Sequence, residues 1–181
     1  MSSSKWDKRF IGLAEHVAEW SLDPHVKVGA VLVNTDDTRE FYTGYNGFPR
    51  GIKDTDERYQ DKKQKHELVV HAELNAIFNA QAKLDNFTLY CTRFPCSKCF
   101  LAILQSGIKR VVAYVPSEDD INKHQEDYSL VLMCASETSI EMDIRTPVTL
   151  DSVLSSFIRR LYNHDKQAYK YDKQTHTKTK R

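Results

Sequence analysis

Apolar residues recur at steps of four and three through Trp6, Phe10, Leu13, Val17 and Trp20, which is the spacing of one helix face. Ser4 followed by Asp7 reads as a capped start, and Asp23-Pro24 as the stop. The pattern then becomes a continuous apolar run from Val28 to Asn34, which predicts a buried strand. Turn residues from Thr35 to Thr38 lead into a return strand over Arg39 to Asn46. From Gly47 to Glu67 the periodicity is lost. This polar, charged stretch predicts a solvated connection, long enough to be functional or mobile.

A helix is predicted from His71 to Leu84 with Ala72, Ala76, Ile77 and Ala80 facing inward. A strand over Phe87 to Thr92 comes next, then a helix with Pro95 in its first turn and Gly107 at its end. Arg110 to Val115 reads as a strand, Asp119 to Glu137 as a helix, and Ser139 to Ile144 as a fifth strand. A last amphipathic helix is predicted from a Thr149 cap, with Val153, Leu154, Phe157, Ile158 and Leu161 on its apolar face. Strands alternating with helices predict an α/β domain layered around a mixed sheet. We expect one domain over residues 1–164 and a polar, loose, Lys-rich tail over 165–181.

Composition narrows the class. With 40% hydrophobic residues in 181, the chain can bury a core of its own. A formal charge of +1 argues against a protein whose main task is gripping a nucleic-acid backbone. No apolar run reaches the roughly 18–20 residues of a membrane span, and the first ten residues contain no signal-like apolar core. Four cysteines are too few for a disulfide scaffold, and the Cys96-x-x-Cys99 spacing suits a metal better. The expectation is a reduced, soluble, cytoplasmic protein with no membrane partner.

Two stretches carry candidate chemistry: "VVHAELNAIF", with His71 and Glu73, and "FPCSKCF", with Cys96 and Cys99. Zinc favours imidazole and thiolate ligands; structural zinc takes four protein ligands, while catalytic zinc takes three and keeps a place for water. Three ligands stand out here: His71, Cys96 and Cys99. A fourth would come from Cys91, Cys134 or a histidine such as His66. The two cysteines read as core packing and His66 as a surface residue, so the count favours an open site. His71 and the cysteine pair each fall at a predicted helix start, where the positive helix end favours thiolate. Glu73 is either a helix N-terminal acid or a carboxylate that moves a proton beside the metal; the company of His71 and Pro-Cys-x-x-Cys favours the second.

The pattern H-x-E with P-C-x-x-C is the signature of zinc nucleobase deaminases. The chain resembles the cytidine/deoxycytidylate deaminase superfamily, and within it the deoxycytidylate (dCMP) deaminase family, including its bacteriophage members. "DPHVKVGAVLVN", "GYNGFPRG", "HAELNAI", "FPCSKC" and "LQSGIKRVV" carry that resemblance, which runs from about Trp6 to Tyr114. It implies a three-layer α-β-α domain around a five-stranded mixed sheet, with catalytic Zn2+ on His71, Cys96 and Cys99. Glu73 would be the proton shuttle in the hydrolysis of dCMP to dUMP and ammonia. Asn46 would bond the deoxyribose, although Asn is also a common turn residue. The backbone at Ala72 and Thr92 would read the pyrimidine edge. Val28 and Gly29 would lie under the ring, or serve only as strand core, and Phe94 would wall the base. Lys27, Arg93 and Tyr114 are unranked partners for the 5′-phosphate.

Family behaviour further implies a homohexamer activated by dCTP and inhibited by dTTP, with Mg2+ accompanying the regulatory nucleotide. Its site would involve Gly47, Phe48, Arg50, Gly51 and Lys53. The same motif also serves tRNA adenosine deaminases, polynucleotide cytidine editors and enzymes acting on free cytidine. The remaining alternative is an interaction module built on structural zinc.

Overall fold

The structure is a computed structural model that describes residues 3–146. It begins with helix α1 (Ser3–Ala18), followed by the hairpin strands β1 (Gly29–Asn34) and β2 (Phe41–Tyr45). Three helices follow: α2 (Asp56–Gln60), α3 (Lys62–Leu68) and α4 (Ala72–Asn79). Then come β3 (Phe87–Cys91), α5 (Ser97–Gln105), β4 (Arg110–Tyr114), α6 (Glu118–Lys123), α7 (Gln125–Glu137) and β5 (Glu141–Arg145). The strands form one mixed sheet in the order β2-β1-β3-β4-β5. β1 pairs antiparallel with both β2 and β3, and the β3, β4 and β5 pairs are parallel.

The two-residue alternation of a strand sends its side chains to opposite faces. On one face Val31, Val33, Tyr90 and Val112 meet Phe10, Ile11, Ala14 and Val17 of α1. On the other, Ala30, Leu32, Leu89, Cys91, Val111 and Ala113 meet Ala72, Ala76 and Ala80 at α4 and Ile103 of α5. Met142 and Ile144 extend that second face to α7. The result is the expected three-layer α-β-α arrangement with a five-stranded mixed sheet. No helix among the described residues is long and apolar enough to cross a membrane.

Several local expectations are corrected. Asp7 is no cap residue: its carboxylate is 1% exposed and meets Arg110, Arg145 and Tyr90. Trp20 lies past the end of α1 and is 48% exposed, its ring edge-on to Tyr45. The stretch 47–67 is not a bare loop, since it holds α2 and α3. Buried Tyr59 stacks on Phe48 with ring centroids 4.4 Å apart, and Lys65 reaches buried Asp23 at 2.6 Å. Helix α4 stops at Asn79, because Gln81 takes a left-handed backbone (φ 35°) that ends the run. The helix expected over 119–137 is two helices, broken at His124 (φ −125°, ψ 25°). Pro95 precedes α5, whose N-cap is Cys96. The helix expected from Thr149 and the tail expected from residue 165 lie outside the described residues.

Candidate metal centre

The end of β2, the start of β1 and the end of β3 share one edge of the sheet, because Gly29 is opposite Tyr45 and Ala30 opposite Cys91. The loops that leave this edge build the site. His71 is the N-cap of α4 and Cys96 the N-cap of α5; both have extended backbone, and neither side chain caps its helix. The two helix starts face one another across the space between the imidazole and the sulfurs. Helix α4 is seated by close contact with β2: a β-carbon at Gly44 would stand 2.3 Å from the Ala72 carbonyl oxygen and 2.3 Å from the Ala76 nitrogen. Asn75 and Asn79 of α4 donate to the Tyr45 and Thr43 carbonyls, and Gly47 forms a bridge with Val70 just before His71.

His71 Nδ1 lies 3.5 Å from Cys96 Sγ and 3.3 Å from Cys99 Sγ. All three donor atoms fall within 4.8 Å of one another, the one such cluster among the described residues. Tetrahedral zinc with bonds of about 2.3 Å to sulfur and about 2.0 Å to nitrogen needs sulfur–nitrogen edges of roughly 3.5 Å. The trio therefore fits zinc in both donor type and spacing. Cys91 sits in the core, where burial pushes its thiol well up. Cys134 packs against the second apolar cluster, and His66 is exposed.

Glu73 is 4% exposed. Burial raises its carboxyl, opposed by backbone bonding, by the field of His71 and by a hydrogen bond with Cys99. It follows His71 by two residues in the first turn of α4, and the charges of His71 and Cys96 both act on it. Without a metal, the Cys96 thiol is pulled down to about 4, chiefly by a hydrogen bond from Cys99. Cys99 is pushed up in return, and His71 is raised chiefly by its bond to Cys96. Thiolate at Cys96 is thus favoured by its neighbours, and binding of a metal by such donors is coupled to release of their protons.

The other expected residues separate into groups. Ala72 is buried between the ligand and Glu73. Thr92 accepts the Gly29 N–H on its hydroxyl and donates its own N–H to the Gly29 carbonyl. Gly29 is packed so tightly on α1 that a β-carbon would stand 2.0 Å from the Ala14 carbonyl oxygen. Asn46 is buried and spends its side chain on the neighbouring loop. Its Oδ1 accepts from Val28 N, and its Nδ2 donates to the Val26 carbonyl and, at 3.4 Å, to Asp23.

Phe94 is buried against Tyr128. Arg93 stands on the loop between β3 and Cys96, pairs with Asp120 at 2.6 Å and reaches His71 with its field. Lys27 pairs with Glu19 near the end of α1, and Tyr114 lies on the α1 face donating to Glu15. In the 47–53 segment Phe48 is packed on Tyr59, Arg50 donates to Asn79, Lys53 accepts from Arg58 on its carbonyl, and Gly51 is exposed.

Residues that spacing alone passed over also shape the site. Asp23 caps the 23–26 turn through His25 and Val26 N–H, and Asp127 holds Ser97. Asp-Pro at a turn and an acid in a first helical turn were the visible traces, with no mark of their long-range partners.

The zinc-binding region of the cytidine and deoxycytidylate deaminases matches residues 4–115. The chain is 37% identical over 142 residues to an uncharacterized deaminase of Aliivibrio fischeri, covering 77% of this chain and 92% of that one. It is 37% identical over 126 residues to the deoxycytidylate deaminase of Mycobacterium phage D29, covering 62% of this chain and 96% of that one. The match spans 60% of a nematode relative and 64% of a mouse one. The cyanophage S-TIM5 dCMP deaminase in complex with dCMP and dUMP shares the fold. Its TM-score is 0.61 at 22% identity, over 80% of this chain and 99% of that one. From the matched region, the relative whose length it nearly spans, and the shared fold, this chain belongs to the cytidine and deoxycytidylate deaminase family.

Proposed function

We propose that the protein is a zinc-dependent hydrolase that converts dCMP to dUMP and ammonia. The observation that carries this reading is buried Glu73 in the first turn of α4, two residues from His71 of a three-donor His71, Cys96 and Cys99 cluster. The phage relative named deoxycytidylate deaminase, nearly all of whose length is spanned, supports the choice of substrate.

His71, Cys96 and Cys99 would hold zinc, which when bound supplies the Lewis acidity that makes water a nucleophile near neutral pH. The carboxylate of Glu73 takes the proton from the attacking water, delivers it to N3 of the pyrimidine, and then carries a proton to the departing amine. A carboxyl whose pKa is raised by burial suits both halves of that cycle. The backbone at Ala72 and Thr92 would read the pyrimidine edge, and Thr92 is held there by its two hydrogen bonds with Gly29. For the 5′-phosphate, position supports Arg93: it stands on the ligand loop, where a phosphate would compete with Asp120 for it, whereas Lys27 and Tyr114 pair with Glu19 and Glu15.

The reading extends to dUMP supply for thymidylate synthesis and to a cytoplasmic homohexamer activated by dCTP and inhibited by dTTP, with Mg2+ on the nucleotide. Resemblance at Gly47, Phe48, Arg50 and Gly51 supports it. Phe48 is buried against Tyr59, so Arg50 and Lys53 are the polar groups left for a nucleotide.

An ultraviolet assay of the purified, zinc-loaded protein tests the substrate. It compares dCMP, CMP, deoxycytidine and single-stranded DNA, with and without dCTP and magnesium. The expected result is turnover of dCMP well above the other three. Preferential turnover of deoxycytidine or of DNA contradicts it.

A further inference from the structure

A helix leaves its first amide groups without partners, and a Ser, Thr, Asn or Asp side chain at the N-cap commonly supplies one acceptor. In α5 that position is occupied by Cys96, whose side chain makes no capping bond and whose sulfur faces His71. The acceptor comes from 30 residues away. Asp127, in the first turn of α7, accepts the Ser97 backbone N–H at 3.0 Å on one carboxylate oxygen and the Ser97 hydroxyl on the other. Two more contacts tie the same loop to the same helices. Arg93 pairs with Asp120 of α6 at 2.6 Å, and Phe94 meets Tyr128 edge-on with centroids 5.1 Å apart. The ligand loop is therefore gripped on both sides of Cys96. The helices that grip it lie beyond residue 115, past the end of the matched zinc-binding region.

We propose that Asp127 is a positioning residue of the metal centre: it caps α5 in place of Cys96, so that Cys96 and Cys99 keep the relative placement the metal needs. The proposal rests on the zinc reading of the site and adds a residue that the ligand motif does not contain. The Cys96 sulfur is turned toward His71, and the Ser97 N–H at the helix start finds its acceptor in Asp127 instead. Cys99 is the third residue of α5, so fraying of the first turn would move its sulfur relative to that of Cys96. A carboxylate bonded at this helix start opposes such fraying and is favoured there by the helix dipole. Groups that hold metal ligands in place from behind influence metal affinity, and Asp127 does so one residue from Cys96.

The test uses the full-length, zinc-loaded protein and follows zinc transfer to a chromogenic chelator. Asp127→Ala, Asp127→Asn, Ser97→Ala and Asp61→Ala are compared with the wild type, and thermal unfolding of the zinc-loaded and metal-free forms is recorded. Asp61 is a matched control, since it caps α3 through the Gln64 N–H with no contact to the metal loop. Asp127→Ala is expected to release zinc about ten- to a hundredfold faster than wild type. Asp127→Asn, which keeps an acceptor, recovers much of that loss. Asp61→Ala loses stability and releases zinc at the wild-type rate.

Wild-type release from Asp127→Ala overturns the proposal, and so does equal acceleration by Asp61→Ala, because the effect would then follow general stability. If Asp127→Ala does not fold, Ser97→Ala, which removes one of the two bonds to Asp127, carries the test, and wild-type release from it overturns the proposal. The readout needs no substrate, so its result is independent of whether dCMP is turned over. A wild type that takes up no zinc overturns the metal reading and this proposal together.

Discussion

At Gly44 a β-carbon would stand 2.3 Å from two backbone atoms of α4, and backbone cannot move aside as a flexible side chain can. Gly44→Ala must lift α4, with His71 at its start, off β2. Overpacking of this kind costs about 1–3 kcal/mol. Urea unfolding is expected to show a loss in the upper part of that range together with weakened zinc binding; unchanged stability would contradict the packing argument. Arg93→Ala should raise KM for dCMP far more than for deoxycytidine, because only the first carries a phosphate. An equal effect on both substrates would remove Arg93 from that role. His71, Glu73, Cys96 and Cys99 were legible from spacing, since each pair is local and its chemistry limits the residue types. Asp127 and Lys65 were not legible, because their partners Ser97 and Asp23 are adjacent only after the chain folds.

Periodicity located all five strands to within two residues at each end, because apolar alternation against a two-sided core leaves little freedom of register. The segment between β2 and α4 was illegible for the opposite reason. Its helices are five and seven residues long, too short for a repeating face, and their order comes from single anchors, Tyr59 on Phe48 and Lys65 on Asp23. Tyr59→Ala should detach this segment. Trypsin is then expected to cut rapidly within 53–65, where the wild type is protected. Equal cleavage rates in both proteins would show that the anchor does not hold the segment. The break at His124 was hidden because a helical pattern on either side of one residue reads as continuous.

Across the whole molecule, a charged network joins the first helix to the last described strand. Asp7 of α1 is bonded by Arg110 of β4, Arg145 of β5 and Tyr90 of β3. Burial alone would raise the Asp7 carboxyl, but its bonds and the charges of Arg110 and Arg145 outweigh burial and hold it below its ordinary 3.8. Stability from this group is fully present above that ordinary value and is lost as pH falls through the lower folded one. Asp7→Asn should cost about 3 kcal/mol at neutral pH, as expected when one member of a buried ion pair is removed. The gap to wild type should narrow as pH drops below 3.8; a gap independent of pH would contradict the assignment. Removing zinc with a chelator should lower the unfolding temperature, because the ligands lie on two helices that meet only in the fold.

The account stands on Glu73 as the proton carrier of a zinc hydrolase, and Glu73→Gln at matched zinc content tests it most directly. Glutamine keeps the shape and the hydrogen bonding but cannot carry the proton. The variant is expected to hold one equivalent of zinc, as wild type does, and to lose about 10²- to 10⁴-fold in dCMP turnover. Turnover within about tenfold of wild type at equal zinc would contradict the role given to this carboxylate.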